Sequence, residues 1–442
     1  MTVQEMKTAV CAAIDNNREK ILTLGDAMYH DAETGYREYR TAAKIQAALD
    51  EAGLEHQDGV AMTGILTPFK GRDHKVHISL MGELDGLIVP SHPCAVPETG
   101  MAHACGHSIQ AAALVGVAYA LKESGVMNYL DGDITLMHVP AEEMVELEYR
   151  KELVEQGKIK LYGGKQEFIR LGVMDDVDIM IMQHTAITEG PENEGVPKAD
   201  CGGISKGFVA KLVQYIGKEA HGARPHEGIN ALKAAYLGLS AIDANRDTFL
   251  EKDGIRVHPI ITKGGTLVNV VPADVRLETF VRGYSMEAIQ DASFKVDRAL
   301  RSGAYAVGAE CVISELPGYI VPVESNELKD VVFENLKDFF GADKVAYTGP
   351  GGSSDASDVS VLMPTVMLWI GGASGVHHGA NFEIVDPEMA YITAAKVLAC
   401  VAIDLLANGA EKGLHVKNSF HAPMTKDEYL TQWCHLEKGK DF

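Results

Sequence analysis

The stretch that most limits what this chain can fold into is Met101 to Leu121, MAHACGHSIQAAALVGVAYAL. Its second half is an apolar run rich in Ala, Val and Leu, which reads as a helix buried on all sides. Its first half is a short turn in which His103, Cys105 and His107 alternate around Gly106. Alternate side chains of extended backbone share a face, so a thiolate and an imidazole two residues apart are able to meet one ion. Sulfur and imidazole together suit zinc, nickel, cobalt, iron or manganese, the softer ions being favoured by sulfur. Read alone, the stretch is equally a buried cysteine beside two ordinary histidines, and the rest of the chain has to decide.

Around that helix the pattern alternates. Val60 to Phe69, Lys75 to Met81, Asp133 to Val139, Asp178 to Gln183 and Val366 to Ile370 read as strands. Residues 3–25 read as a surface helix, Thr41 to Ala52 as an amphipathic helix closing on Gly53, and Pro387 to Leu406 as a late helix. Strands alternating with helices predict a mostly parallel sheet, with functional residues just past the strand C-termini. The order changes after Gly202-Gly203. Lys206 to Tyr215, Ile229 to Asn245, Val257 to Thr262, Val275 to Val281, Met286 to Arg301 and Cys311 to Glu315 follow the order β-α-β-β-α-β, that of a ferredoxin-like unit. The expectation is an α/β domain made of 1–203 and 318–442, with an α+β domain, 204–317, inserted in it. The tail after Gly413 reads as polar and irregular.

A chain of 442 residues exceeds the usual span of one core. Its formal charge of −22 argues against nucleic acid and anionic membrane as partners. The cysteines are odd in number and without disulfide-framework spacing, which fits a reducing cytoplasm. The N-terminus lacks the apolar core of a signal peptide, and no apolar run reaches the roughly 18 residues that span a bilayer.

Further candidates for chemistry lie at strand ends. Glu142-Glu143 follows the strand DITLMHV, so one carboxylate is able to bind a metal while its neighbour moves a proton. The alternative is a solvated pair beginning a helix. His184 follows the strand DIMIMQ, and His377-His378 sits between glycines in GGASGVHHGANF; the residues alone do not choose between those two histidines. Cys105, His107, a glutamate, His184 and a late histidine are too many ligands for one tetrahedral ion with an open position. They suit two ions sharing a bridging group. In the inserted domain, His221 stands among small residues in GKEAHGARPHEG, and Asn269 between a Gly-Gly turn and a proline. Each is otherwise an ordinary loop residue. The loop from Gly349, GPGGSSDAS, is Gly-rich but lacks the lysine of a P-loop, which leaves a phosphoesterase as the weaker reading.

Taken in order, these motifs resemble the cocatalytic-metal aminoacylase/carboxypeptidase amidohydrolases, and within them the bacterial N-acyl-amino-acid and indoleacetyl-amino-acid hydrolases. HDAETGYREYRT is similar to H-x-x-P-E-x-G-x-x-E-x-x-T, LMGELDGL to R-A-D-M-D-A-L, and MAHACGHSIQ to M-H-A-C-G-H-D-x-H. VPAEE, GGTLVNVVPADVRLE and HHGANFEIVDPE also match, and GGSSDASDVSVLMPT resembles the p-aminobenzoyl-glutamate hydrolase branch. The resemblance implies a zinc-peptidase-like catalytic domain and a lid that forms a homodimer. It implies two divalent ions per subunit (zinc, manganese, nickel or cobalt) on Cys105, His107, Glu143, His184 and His378. It implies Glu142 as general base, His221 and Asn269 as stabilisers of the oxyanion, and Asp85 as support for a ligating histidine. The implied reaction is attack of a metal-bridging hydroxide on the amide of an N-acyl amino acid, a dipeptide or an aminobenzoyl-glutamate-like molecule. Four positions depart from the motifs: Ala32 stands in place of Pro, Glu83 replaces Asp, Ser108 replaces Asp and Gln110 replaces His. Ser108 and Gln110 motivate the alternative, a metal-binding relative with the same fold and little turnover.

Overall fold

The computed structural model of the chain describes residues 1–203, 205–347 and 352–433, without the side chain at 432. The first three residues of the Gly349 loop lie outside the described residues. The chain divides into two compact units: Met1–Ile204 with Val323–Met424, and Ser205–Pro322 with Thr425–Phe442.

The first unit is built on a nine-stranded sheet. Its centre runs Gly132–Val139, Val76–Glu83, Ile179–Ile187, Thr365–Ser374, each parallel to its neighbour. These strands are apolar almost throughout because helices cover both faces, the usual signature of a parallel sheet. Antiparallel strands, Gly64–Phe69 and Gln57–Val60 on one side and Ala199–Asp200 on the other, extend the edges. His107–Ser124 connects Val76–Glu83 to Gly132–Val139, and every side chain from His107 to Leu121 is buried. Gly106 begins that helix at φ 83°, and a Cβ there would stand 2.6 Å from Thr185 Oγ1. The turn that carries Cys105 is therefore open only to glycine at its pivot.

The second unit is an antiparallel sheet in the order Arg256–Lys263, Asp274–Gly283, Gly207–Ile216, Glu310–Tyr319. The helices Ala231–Ala244 and Met286–Val307 bury their apolar faces in a core of its own, among them Ala235, Ile289 and Val296.

Several segments differ from their sequence-based expectation. Residues 3–25 form two helices, Val3–Asn16 and Arg18–Tyr29, each with a buried face that includes Val10, Ile14 and Ile21. The strand expected over 60–69 is a hairpin, broken where Ala61 and Met62 take positive φ. The tail is helical at Glu411–Ser419 and Lys426–Trp433, and the latter groups with the second unit rather than the first. Glu388–Leu406 is long and apolar enough to cross a membrane, yet 78% of its most apolar window is buried inside the protein. It is a core helix whose apolar length answers to packing on all sides.

Candidate metal centre

The side chains that the sequence places at strand ends meet at one end of the parallel sheet. Cys105 comes from the turn before the central helix, His107 from its first residue, Glu142 and Glu143 from the loop after Gly132–Val139, and His184 from Ile179–Ile187. His378 comes from the loop after Thr365–Ser374. Cys105 Sγ lies 3.6 Å from His184 Nε2. His378 Nε2 lies 3.0 Å from Glu143 Oε1. The donor atoms of Cys105, His107 and His184 fall within 4.8 Å of one another, as do those of Cys105, Glu143 and His378. Cys105 is common to both sets. His377 faces another way: its Nε2 contacts the Thr185 carbonyl at 3.0 Å and its ring stacks on Phe382.

The loop that presents the two glutamates is braced from several directions. Ala141 takes φ 57°, and its amide donates to Glu38 Oε1 at 2.8 Å. Arg150, buried, donates to the carbonyl oxygens of Ala141 at 3.1 Å and of Glu143. Gly35 lies against this turn, and a Cβ on it would come within 2.7 Å of Ala141 Cα. The segment HDAETGYREYRT is thus the support on which Glu142-Glu143 rests. Asp85 does two jobs at once: Oδ1 stands 3.1 Å from His107 Nδ1, and Oδ2 accepts the Glu143 amide at 2.8 Å. Fixing Nδ1 in this way turns His107 Nε2 toward the site.

The charges are strongly perturbed. Burial and Glu143 push the Cys105 thiol up, but His184 and His107 outweigh them and bring it down to about 6. Burial disfavours the Glu143 carboxylate, but His378 holds it at about 2. Burial opposes the charge on His378, yet Glu143 raises it to about 11. Burial lowers His107, and Glu83 and Cys105 more than reverse this. Glu142 is pushed well above the usual carboxylate range by burial and by Glu83 and Glu143. The histidines therefore carry the protons that cations would displace on binding.

These residues fit a pair of divalent ions. Zinc bonds of about 2.3 Å to sulfur and about 2.1 Å to nitrogen, at a tetrahedral angle, span about 3.6 Å, matching the 3.6 Å from Cys105 to His184. His107 Nε2 and Glu143 Oε1 are buried and make no hydrogen bond, although opposing groups lie near 3 Å. Carboxylates of Glu83, Asp85, Glu142, Glu143 and Asp355 converge on this region, with Lys165 and Arg150 as buried permanent cations.

Sequence reasoning missed Lys165 and Arg150, and it noted Glu83 only as a departure. A lone basic residue in a polar segment carries no periodicity that marks it as buried. His221 and Asn269 belong to the second unit. Both are exposed, and their loops pair through a His221–Val270 bridge and the Gly222 amide, which donates to the Asn269 carbonyl at 2.7 Å.

A parallel-sheet unit that gathers a cysteine, histidines and glutamates at its strand ends has the donor set of a metal-dependent hydrolase. Residues 80–404 match the model of peptidase family M20/M25/M40, and the chain belongs to that family. It is 26% identical over 426 residues to the Xaa-Arg dipeptidase of Mus musculus, covering 91% of this chain and 89% of that one. Among solved structures it resembles a Bacillus subtilis dinuclear metal binding peptidase from the M20 family (TM-score 0.63, 21% identity, 89% and 99% of the two chains). It also resembles the aminobenzoyl-glutamate utilization protein of Klebsiella pneumoniae (TM-score 0.65, 19% identity, 90% and 98%).

Proposed function

We propose that this protein is a dinuclear amidohydrolase that cleaves an N-acyl amino acid, a dipeptide or an aminobenzoyl-glutamate-like amide. The observation that carries the proposal is Cys105 standing in two ligand sets at once, with His107 and His184 on one side and Glu143 and His378 on the other. When bound, two such ions polarise a carbonyl and make water a nucleophile near neutral pH. Glu142 Oε2 lies 4.0 Å from His107 Nε2, beside but outside the two Cys105 sets. From there it takes the proton of the attacking water and returns it to the leaving nitrogen as the C–N bond breaks. His221 and Asn269 supply neutral or cationic donors to the developing oxyanion. The net charge of −22 disfavours nucleic acid and anionic membrane as partners. The described cysteines are all free thiols, in keeping with a reducing cytoplasm. A homodimer through the second unit is part of the same proposal: Arg256–Lys263 is an edge strand, with Ile260 and Ile261 exposed on it.

The test is Glu142→Gln. Turnover of N-acyl amino acids and dipeptides by the metal-loaded enzyme should fall by about two to four orders of magnitude, with metal content by mass spectrometry unchanged. Normal turnover by that variant sinks the assignment.

A further inference from the structure

Glu83 ends the buried strand Val76–Glu83, and its side chain is wholly removed from solvent. Each of its oxygens is held separately. Oε1 pairs with Lys165 Nζ at 2.6 Å. Lys165 is itself fully buried, and Asp355 holds it at 2.5 Å through Nζ and at 2.8 Å through its backbone amide. Oε2 accepts from Gln110 Nε2 at 2.7 Å, while Gln110 Oε1 receives the Glu83 amide at 3.1 Å. Removing an ammonium and two carboxylates from water is costly, and apolar packing in their place is often as stable or more so. Such a cluster is better explained by where it puts a carboxylate than by the stability it adds.

The place it puts Oε2 is 3.1 Å from His107 Nε2. That nitrogen is buried and makes no hydrogen bond, and the other ring nitrogen faces Asp85. Two donors bound to one ion at about 2.1 Å each, at a tetrahedral angle, stand about 3.4 Å apart, close to the 3.1 Å seen here. Oε2 retains a lone pair after accepting from Gln110. Glu83, His107 and Glu142 also offer ligand atoms within 4.8 Å of one another. Position 83 is one where the motif of the resemblance has the shorter aspartate.

We infer that Glu83 is itself a metal ligand, sharing an ion with His107, and that Lys165, Asp355 and Gln110 are the positioning residues that fix its carboxylate. The inference rests on the dinuclear reading above. It adds an oxygen donor to the ion at His107, which favours manganese, cobalt or zinc over softer ions.

The experiment uses full-length protein stripped by a chelator and reloaded with cobalt(II). Metal stoichiometry, affinity by competition with a chromophoric chelator, and the visible absorption of the bound cobalt are measured, none of which depends on turnover. Glu83→Gln should weaken one of two cobalt sites by on the order of a hundredfold and change the cobalt band as a ligand is lost. Lys165→Met should weaken the same site by about tenfold. Glu83→Asp keeps the charge but should change the band, because its carboxylate is one methylene short. Thermal unfolding shows which variants fold; where Glu83→Gln does not, Glu83→Asp and Lys165→Met carry the same spectroscopic readout. Spectra and affinities superimposable on those of the unmodified protein overturn the ligand assignment and leave an ion pair only. If the unmodified protein binds fewer than two ions, the dinuclear reading falls and this inference falls with it. Two ions bound with the Glu83 variants unchanged removes Glu83 alone.

Discussion

At the scale of single residues, Asp85 ties the site together, since one carboxylate holds both a histidine ring and the backbone of a glutamate. Asp85→Ala should therefore cost more than a single hydrogen bond. The expected result is a loss of about 10- to 100-fold in metal affinity, measured by chelator competition, with the fold intact by circular dichroism. Gly35 makes the complementary point about shape. A methyl there meets the backbone of Ala141, which is not free to give. Gly35→Ala should lower stability by about 1–3 kcal/mol in denaturant titration and disturb the glutamate turn. Cys105, His107, Glu142, Glu143, His184 and the pair His377-His378 were legible as candidates because each stands at or just past a predicted strand or helix end, and the resemblance alone pointed to His378 of the pair. Lys165 and Arg150 were not. The partners of Lys165 are 82 and 190 residues away in sequence, so nothing local marks it as a buried ion.

At the scale of elements, apolar composition found the central helix and the strands but not their ends. The helix Glu388–Leu406 passes the same compositional test as a membrane span, and only the layers packed around it show which it is. The strand Gly132–Val139 carries a buried ionisable group that gives a pH signature. Burial lowers His138 to about 4 from an ordinary value of 6.5, although the Ala111 carbonyl 3.2 Å from Nε2 opposes this. Its folded value is depressed, so the unfolded chain binds the extra proton first. The stability this neutral ring contributes is complete above about pH 6.5 and is lost as pH falls toward 4, up to about 3 kcal/mol in all. Urea unfolding at pH 7 and pH 4.5 should show a smaller difference for His138→Gln than for the unmodified protein. Part of the difference should remain, because His103, also buried and lowered to about 3, titrates in the same window.

At the scale of the whole molecule, the chain is two units with separate cores, and the ligand sets lie in the first. Cations that bind the folded state alone stabilise it by mass action. A chelator should therefore lower the calorimetric transition of the first unit and leave that of the second in place; a uniform shift of both would contradict this. A β-α-β-β-α-β block set inside an alternating pattern was visible in the sequence. The helical tail was not, because short amphipathic helices owe their stability to the surface they dock on. By itself the sequence determined the elements, their alternation and the residue types at the strand ends, since periodicity and side-chain chemistry are local properties. The tertiary structure decided which of these side chains meet. It turned His378 toward Glu143 and His377 away, seated Glu38 and Gly35 beneath the glutamate turn, and placed Glu83 beside His107 with Lys165 and Asp355 behind it. Such contacts depend on distances closed by the whole sheet, and no local pattern in the chain encodes them.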